Sequence, residues 1–227
     1  MRKRLTAALI TLTISASLVG CVNRAKYPSY YTLHLPPTAG PPIVSGTHGS
    51  VAVSEFRSPA YLRQGAIVYR PSPEEVGFYN YRRWAVDPRE FVTNAIVDRL
   101  RASGRFTEVK IYDGRPDADF ILSGRLEKLE ELDYEGGVRV EVALSAQMTE
   151  LRSGETVWTN AASETTNVDE RSIPAVVAEM SHAMDQAIQK LLATLPACTT
   201  TSLEPPNPTP IFANFANSRK YSGSVMR

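Results

Sequence analysis

The stretch Phe120-Ile121-Leu122-Ser123-Gly124-Arg125-Leu126, running on to Tyr134, then Gly136-Gly137, then Val138-Arg139-Val140-Glu141-Val142-Ala143-Leu144-Ser145-Ala146-Gln147-Met148 decides the fold. From Val138 to Met148 apolar residues fall on every second position, with Arg139, Glu141, Ser145 and Gln147 between them. That period belongs to a β-strand with one buried and one wet face. The paired glycines make the turn into it, and Ala118 to Tyr134, with Phe120, Leu122, Gly124 and Leu126 alternating, reads as its long antiparallel partner. Ser153-Gly154 makes the next turn and Thr156 to Thr166 the third strand, completing a meander.

Helices flank this meander. Upstream, Asp87 is a good N-cap, Pro88 suits the first turn and Glu90 completes a capping-box-like arrangement. Phe91, Val92, Ala95, Ile96 and Leu100 share one face, with Arg99 and Arg101 outside it, and Gly104 terminates a helix over residues 88–103. Downstream, Ser172 caps a helix with Pro174 in its first turn, where Val177, Met180, Met184, Ile188, Leu191 and Leu192 recur every three or four residues until Pro196. At that spacing Met180 and Met184 fill the core rather than line a ligand groove. Earlier in the chain, Tyr30 to Leu35 form a first strand, Val51, Val53 and Phe56 a second, and Ala66 to Arg70 with Val76 to Arg82 a hairpin or two short strands; Phe106 to Tyr112 is a further strand. The fold class that follows is α+β, a mixed, mainly antiparallel sheet packed by two amphipathic helices in a single domain.

The N-terminus carries a different message. Arg2, Lys3 and Arg4 precede an apolar run from Leu5 to Val19 that is short for a bilayer span and reads as a removable secretion signal. It ends on Leu18, Val19, Gly20 and Cys21, which resembles the lipobox of bacterial lipoproteins, and that resemblance makes Cys21 the lipidated first residue of the mature chain. Two or three acyl chains give a lasting anchor where one gives marginal binding. Val22 follows, where an Asp would hold an enterobacterial lipoprotein in the inner membrane, so the outer membrane is expected. The organisation is then a signal peptide at 1–20, a lipidated tether at 21–29, a domain at 30–196 and a disordered Pro/Thr/Asn/Ser-rich tail at 197–227.

Removing residues 1–20 takes three basic and no acidic residues, so the net charge falls from +1 to −2. Such a chain has no electrostatic footprint for nucleic acid. With Cys21 acylated only Cys198 remains, so neither an intramolecular disulfide nor a cysteine zinc site can form. His34, His48 and His182 stand apart from any nucleophile or metal-ligand motif, and neither a Gly-x-Ser-x-Gly elbow nor a phosphate-cradling loop is present. No catalytic residue, metal or cofactor is assigned, and a non-enzymatic role is expected. Glu127, Glu130, Glu131, Asp133 and Glu135 crowd five acids into nine residues, which reads as a solvated strand edge that resists aggregation.

The remaining signal lies between Arg57 and Asp87, where tyrosines and arginines mix as they do at protein interfaces. Ser58-Pro59-Ala60-Tyr61-Leu62, Ile67-Val68-Tyr69-Arg70 and Tyr79-Asn80-Tyr81-Arg82-Arg83-Trp84 resemble the ABC-type transport auxiliary lipoprotein (PqiC-like) family over residues 30–193. The resemblance implies an outer-membrane lipoprotein that works with MCE-domain proteins and inner-membrane ABC transporter components to move lipids or hydrophobic molecules. It also makes a ring-like homo-oligomer compatible with the chain. Tyr61, Tyr69, Tyr79, Tyr81, Arg82 and Trp84 are the candidate partner-binding residues, core packing being the alternative for each aromatic. The rival reading is an envelope lipoprotein that binds and regulates a cell-envelope enzyme.

Overall fold

A computed structural model describes residues 26–37, 49–134 and 136–196. The lipobox, His48, Glu135 and the tail from 197 lie outside these residues. Eight strands and two helices follow in the order β1 (Ser29–Tyr31), β2 (Val51–Val53), a 3-10 turn (Ala60–Gln64), β3 (Ala66–Arg70), β4 (Gly77–Trp84), α1 (Pro88–Ser103), β5 (Val109–Ile111), β6 (Phe120–Tyr134), β7 (Gly137–Glu150), β8 (Thr156–Asn167) and α2 (Ile173–Ala193). The α+β class, the single domain and the mixed sheet read from the sequence are those observed.

β6 is the spine. One edge pairs with β7 in antiparallel register over its full length, Phe120 opposite Glu150 and Tyr134 opposite Gly137, and β8 adds to β7 in the same sense. The other edge is shared: β2 lies parallel to residues 120–122 and β3 parallel to residues 131–132, with the Arg57–Arg125 bridge between them. β5 extends the sheet beyond β2, while β4 and then β1 extend it beyond β3. Gly136, at φ +82°, turns the β6–β7 hairpin in the left-handed region that glycine enters without steric cost.

Both helices cover one sheet face. Val138, Val140, Val142, Leu144 and Met148 point from β7 into that face, where Met180, Met184, Ile188 and Leu191 of α2 are fully buried, so the two methionines are core residues. Arg99 of α1 forms an ion pair with Asp185 of α2, and just past the helix ends Arg105 donates to the carbonyl of Leu195 at 2.7 Å, so polar contacts tie the two helices together. The sequence places Arg99 outside the apolar face; the structure uses it as an interhelical contact. Asp87 caps α1 by accepting from the Arg89 N–H at 2.9 Å, and the Arg89 side chain folds back onto the same carboxylate. Ser172 caps α2 through the Ala175 N–H.

Two strand boundaries and one burial expectation differ from the sequence reading. β1 ends at Tyr31, because the chain then leaves the sheet edge to cross the helices, where the His34 N–H donates to Ser181 Oγ at 3.1 Å and Leu33 is buried. β5 spans Val109–Ile111 alone, Phe106 being buried in the preceding loop. The acidic run does not lie on a sheet edge: β6 is central, and Glu130 and Glu131 are 1% and 4% exposed, while Asp133 stays exposed.

Candidate partner-contact surface

The β3–β4 hairpin and the 3-10 turn before it carry all six candidate residues and lie against the C-terminal half of β6. A bulge governs what they meet there. The register with β7 slips between Leu126 and Lys128, leaving Glu127 as the extra residue. Beyond it Leu129 and Glu131 stand beside Val142 and Val140 on the helix side, whereas Lys128 and Glu130 stand beside Ala143 and Glu141 on the opposite side. Alternation therefore sends the two adjacent buried glutamates to different faces.

On the face away from the helices, Arg70 Nε lies 2.7 Å from Glu130 Oε1, and the Tyr61 ring packs 5.9 Å from the Arg70 guanidinium. The Tyr61 hydroxyl reaches the Glu127 carbonyl at 3.4 Å. Burial and then the Glu130 charge push the Tyr61 phenol above its ordinary pKa, so it remains a neutral donor. Lys128 closes the group by binding Glu141 at 2.9 Å.

On the helix side, the Tyr79 hydroxyl donates to Glu131 Oε2 at 3.0 Å, and the Tyr69 ring lies 4.8 Å from that of Tyr79. Tyr69 also covers Gly77, where a Cβ would stand 2.3 Å from its ring. Burial raises the pKa of Glu131 against the opposing hydrogen bond from Tyr79, and burial raises that of Tyr79 in turn.

The sign for Glu131 follows from its raised folded-state value: its contribution to stability is complete below the unfolded-state pKa and is lost as pH rises through the folded one. Glu131→Gln keeps an acceptor for Tyr79 and removes the buried charge. Thermal unfolding should show Tm raised by a few degrees at pH 7 and unchanged at pH 4, so that the pH dependence flattens.

The other candidates divide. Trp84 is 7% exposed and sits in the core, hydrogen-bonded through its backbone N–H to the Gly65 carbonyl. Arg82 reaches across to Ser29 Oγ at 2.9 Å. Tyr81 is 42% exposed and carries Lys26 Nζ 5.2 Å from its ring centroid. The structure thus sets Tyr61 by Glu130 on one face and Tyr69 with Tyr79 by Glu131 on the other, and leaves Tyr81 and Arg82 apart at the β1–β4 edge. Sequence reading missed the Glu130 and Glu131 halves of these groups; the only signal for them was acids and tyrosines on neighbouring stretches of one sheet.

Elsewhere, His34 and His182 are exposed, His182 contacting Gln186 on its own helix. A cleft of about 480 Å³ lies between the N-terminal segment and α1, lined by Leu33, Leu35, Phe91 and Arg99 among others. Among the described residues no group of His, Cys, Asp or Glu is gathered to hold a metal ion, and no helix is long and apolar enough to cross a membrane.

Comparison with solved structures gives the same architecture. Protein XCC0632 from Xanthomonas campestris, of the DUF330 family model, superposes with a TM-score of 0.63 at 17% identity over 72% of this chain and 92% of that one. A second protein, described as uncharacterized, gives 0.56 at 16% identity over 75% and 99%. These likenesses establish the fold. No curated protein matches the chain in sequence. The model of the ABC-type transport auxiliary lipoprotein component matches residues 31–191, from the end of β1 almost to the end of α2, and so takes in the sheet, both helices and the whole tyrosine-rich hairpin. On that match the chain belongs to the ABC-type transport auxiliary lipoprotein family.

Proposed function

We propose that this protein is an outer-membrane lipoprotein subunit of an ABC/MCE-type system that moves lipids or hydrophobic molecules across the envelope, and that it serves as a docking or assembly component without catalysis of its own. The family match over residues 31–191 carries this reading. The lipobox at Leu18–Cys21 supports it by giving the domain a lipid anchor on the periplasmic face, and Val22 by lacking the retention Asp. Anchoring raises the effective concentration of a docking surface for membrane-bound partners with no added contact.

The contact surface proposed for an MCE-domain protein or the transporter is the Tyr61–Trp84 stretch. Tyr81 and Arg82 offer its contacts at the β1–β4 edge and Tyr61 on the face away from the helices, while Tyr69 and Tyr79 hold the hairpin on the helix side and Trp84 supports it from the core.

Crosslinking in cells, recovery in mild detergent and mass spectrometry test the reading. ABC and MCE components should be recovered with the wild type, and Arg82→Glu should lower their yield several-fold at unchanged Tm. Cys21→Ala should release the protein from membranes. Reproducible recovery of an envelope enzyme without transporter components would replace the transport reading with the regulatory one, and a Cys21→Ala protein that stays membrane-bound would remove the anchor.

A further inference from the structure

Among the described residues, large apolar side chains that stand exposed are few: Tyr27, Tyr30, Tyr81, Val86, Ile111 and Val157. Three of the six are tyrosines, and all three belong to the β1–β4 edge. The register explains their grouping. β1 runs parallel to β4 with Ser29 beside Arg82 and Tyr30 beside Arg83, so Tyr30 and Arg83 share the face away from the helices, and Tyr81 comes two residues before Arg83, in the stretch where β4 slips its register against β3. Lys26 stands over the Tyr81 ring, and Tyr27, 82% exposed, follows it. Tyr30 is 63% exposed although it lies within a strand. None of the three tyrosines is needed by the core, which closes beneath them on Leu33 and Trp84.

The position of this corner in the chain gives it a partner. Lys26 is five residues after Cys21, a reach of roughly 17 Å fully extended. Whatever surface holds Cys21 is therefore held close to Tyr27, Tyr30 and Tyr81. Tyrosines with a polar tip and apolar ring are the side chains that settle at the headgroup level of a bilayer, and Lys26 with Arg83 supplies the charge that an anionic leaflet attracts.

We infer that Lys26, Tyr27, Tyr30 and Tyr81 form a lipid-facing patch that seats the domain on anionic phospholipid headgroups and fixes its orientation relative to the membrane. The proposal rests on the anchor reading only for the side on which the membrane lies. A tethered domain without such a patch tumbles on its linker; with it, the β1–β4 edge faces the bilayer, and the opposite side of the molecule, where β8 and the β6–β7 meander lie, is presented to the periplasm.

The test supplies the anchor chemically, which separates the patch from acylation in the cell. The mature chain carrying Cys198→Ser is coupled through the Cys21 thiol to a maleimide lipid in vesicles of phosphatidylethanolamine and phosphatidylglycerol, then footprinted with hydroxyl radicals and read by mass spectrometry. Labelling of Tyr27, Tyr30 and Tyr81 should fall several-fold relative to the uncoupled protein, while Ile111 and Val157 keep their reactivity. Lys26→Glu should restore most of the labelling, since one such cation near an anionic surface changes the bound fraction by about five-fold. Phosphatidylcholine vesicles or 0.5 M salt should restore it likewise. Unchanged labelling of the three tyrosines on anionic vesicles would overturn the patch, as would equal loss at Ile111 and Val157 or concentration-dependent protection without vesicles, which would mean a second copy covers it. Protection here together with an unacylated Cys21 in cells would leave the patch standing and remove the anchor reading.

Discussion

Arg70→Met should cost about 3–5 kcal/mol of unfolding free energy, the range for removing one partner of a buried ion pair. The reason is the asymmetry of the pair: Arg70 keeps 19% of its side chain in contact with solvent, Glu130 only 1%. The mutation strips a buried carboxylate of its direct ion-pair partner, and its second oxygen, Oε2, already lacks a hydrogen-bond partner among the described residues. Replacing both residues, Arg70→Met with Glu130→Leu, removes the stranded charge and should return most of the loss. Urea unfolding of the two variants and the wild type checks this; a single variant within about 1 kcal/mol of the wild type would show that the pair is worth no more than a surface contact. Against a total stability of about 5–15 kcal/mol the single change is severe.

Phe56→Ala should be of similar size, about 3–5 kcal/mol, for a different reason. The ring is fully buried between α1 and β6 and lies directly on Gly124, where a Cβ would come within 2.3 Å of ring carbons. Its backbone N–H donates to Thr93 Oγ1 at 3.0 Å, so the residue ties the exit of β2 to α1 as well as filling space. Truncation opens a cavity that three elements would have to move to close. The contact with Gly124 supplies an internal control. Gly124→Ala should destabilise the wild type by about 1–3 kcal/mol through overpacking, yet stabilise the Phe56→Ala protein, because the added methyl then enters the space the ring has left. A reversal of sign between the two backgrounds, read from denaturation midpoints, is the expected outcome; the same sign in both would mean the ring and the glycine do not share one space.

Much of this architecture is written locally. The two-residue period from Val138 to Met148 identifies β7 and its buried face because nothing but the β6–β8 neighbours and α2 is needed to satisfy it. Asp87, Gly104 and Ser172 mark helix ends through contacts that span a few residues. What was not legible depends on partners far along the chain. The parallel pairing of β2 and β3 to one edge of β6 joins short strands to residues some 60–70 positions later, and no turn signal announces such a contact. The phase slip at Glu127 has no mark in composition, since an extra residue in a strand can be of any polar type. Glu130 and Glu131 look like solvated acids because charge implies exposure when the neighbour is unknown. Arg70 and Tyr79, 60 and 52 residues away, are what allow them inside. The tyrosine-rich hairpin was visible as unusual composition, and its division into buried hydroxyl donors and an exposed edge required the register of β4 against β1.

The three-residue β1 has a mechanical consequence. It is the first strand of the described residues, so with the anchor proposed at Cys21 a pull on the domain would pass the Lys26–Tyr81 contact and then load Ser29–Tyr31. Behind that short strand the chain is clipped across both helices, His34 to Ser181 of α2 and the Pro36 carbonyl to Arg99 of α1. Tension therefore loads a sacrificial strand and then a strap that squeezes the helices together, while the long β6–β7–β8 ladder stays out of the line of force. With the proposed anchor in place, releasing β1 under strain would lengthen the connection to the membrane and keep the folded body intact.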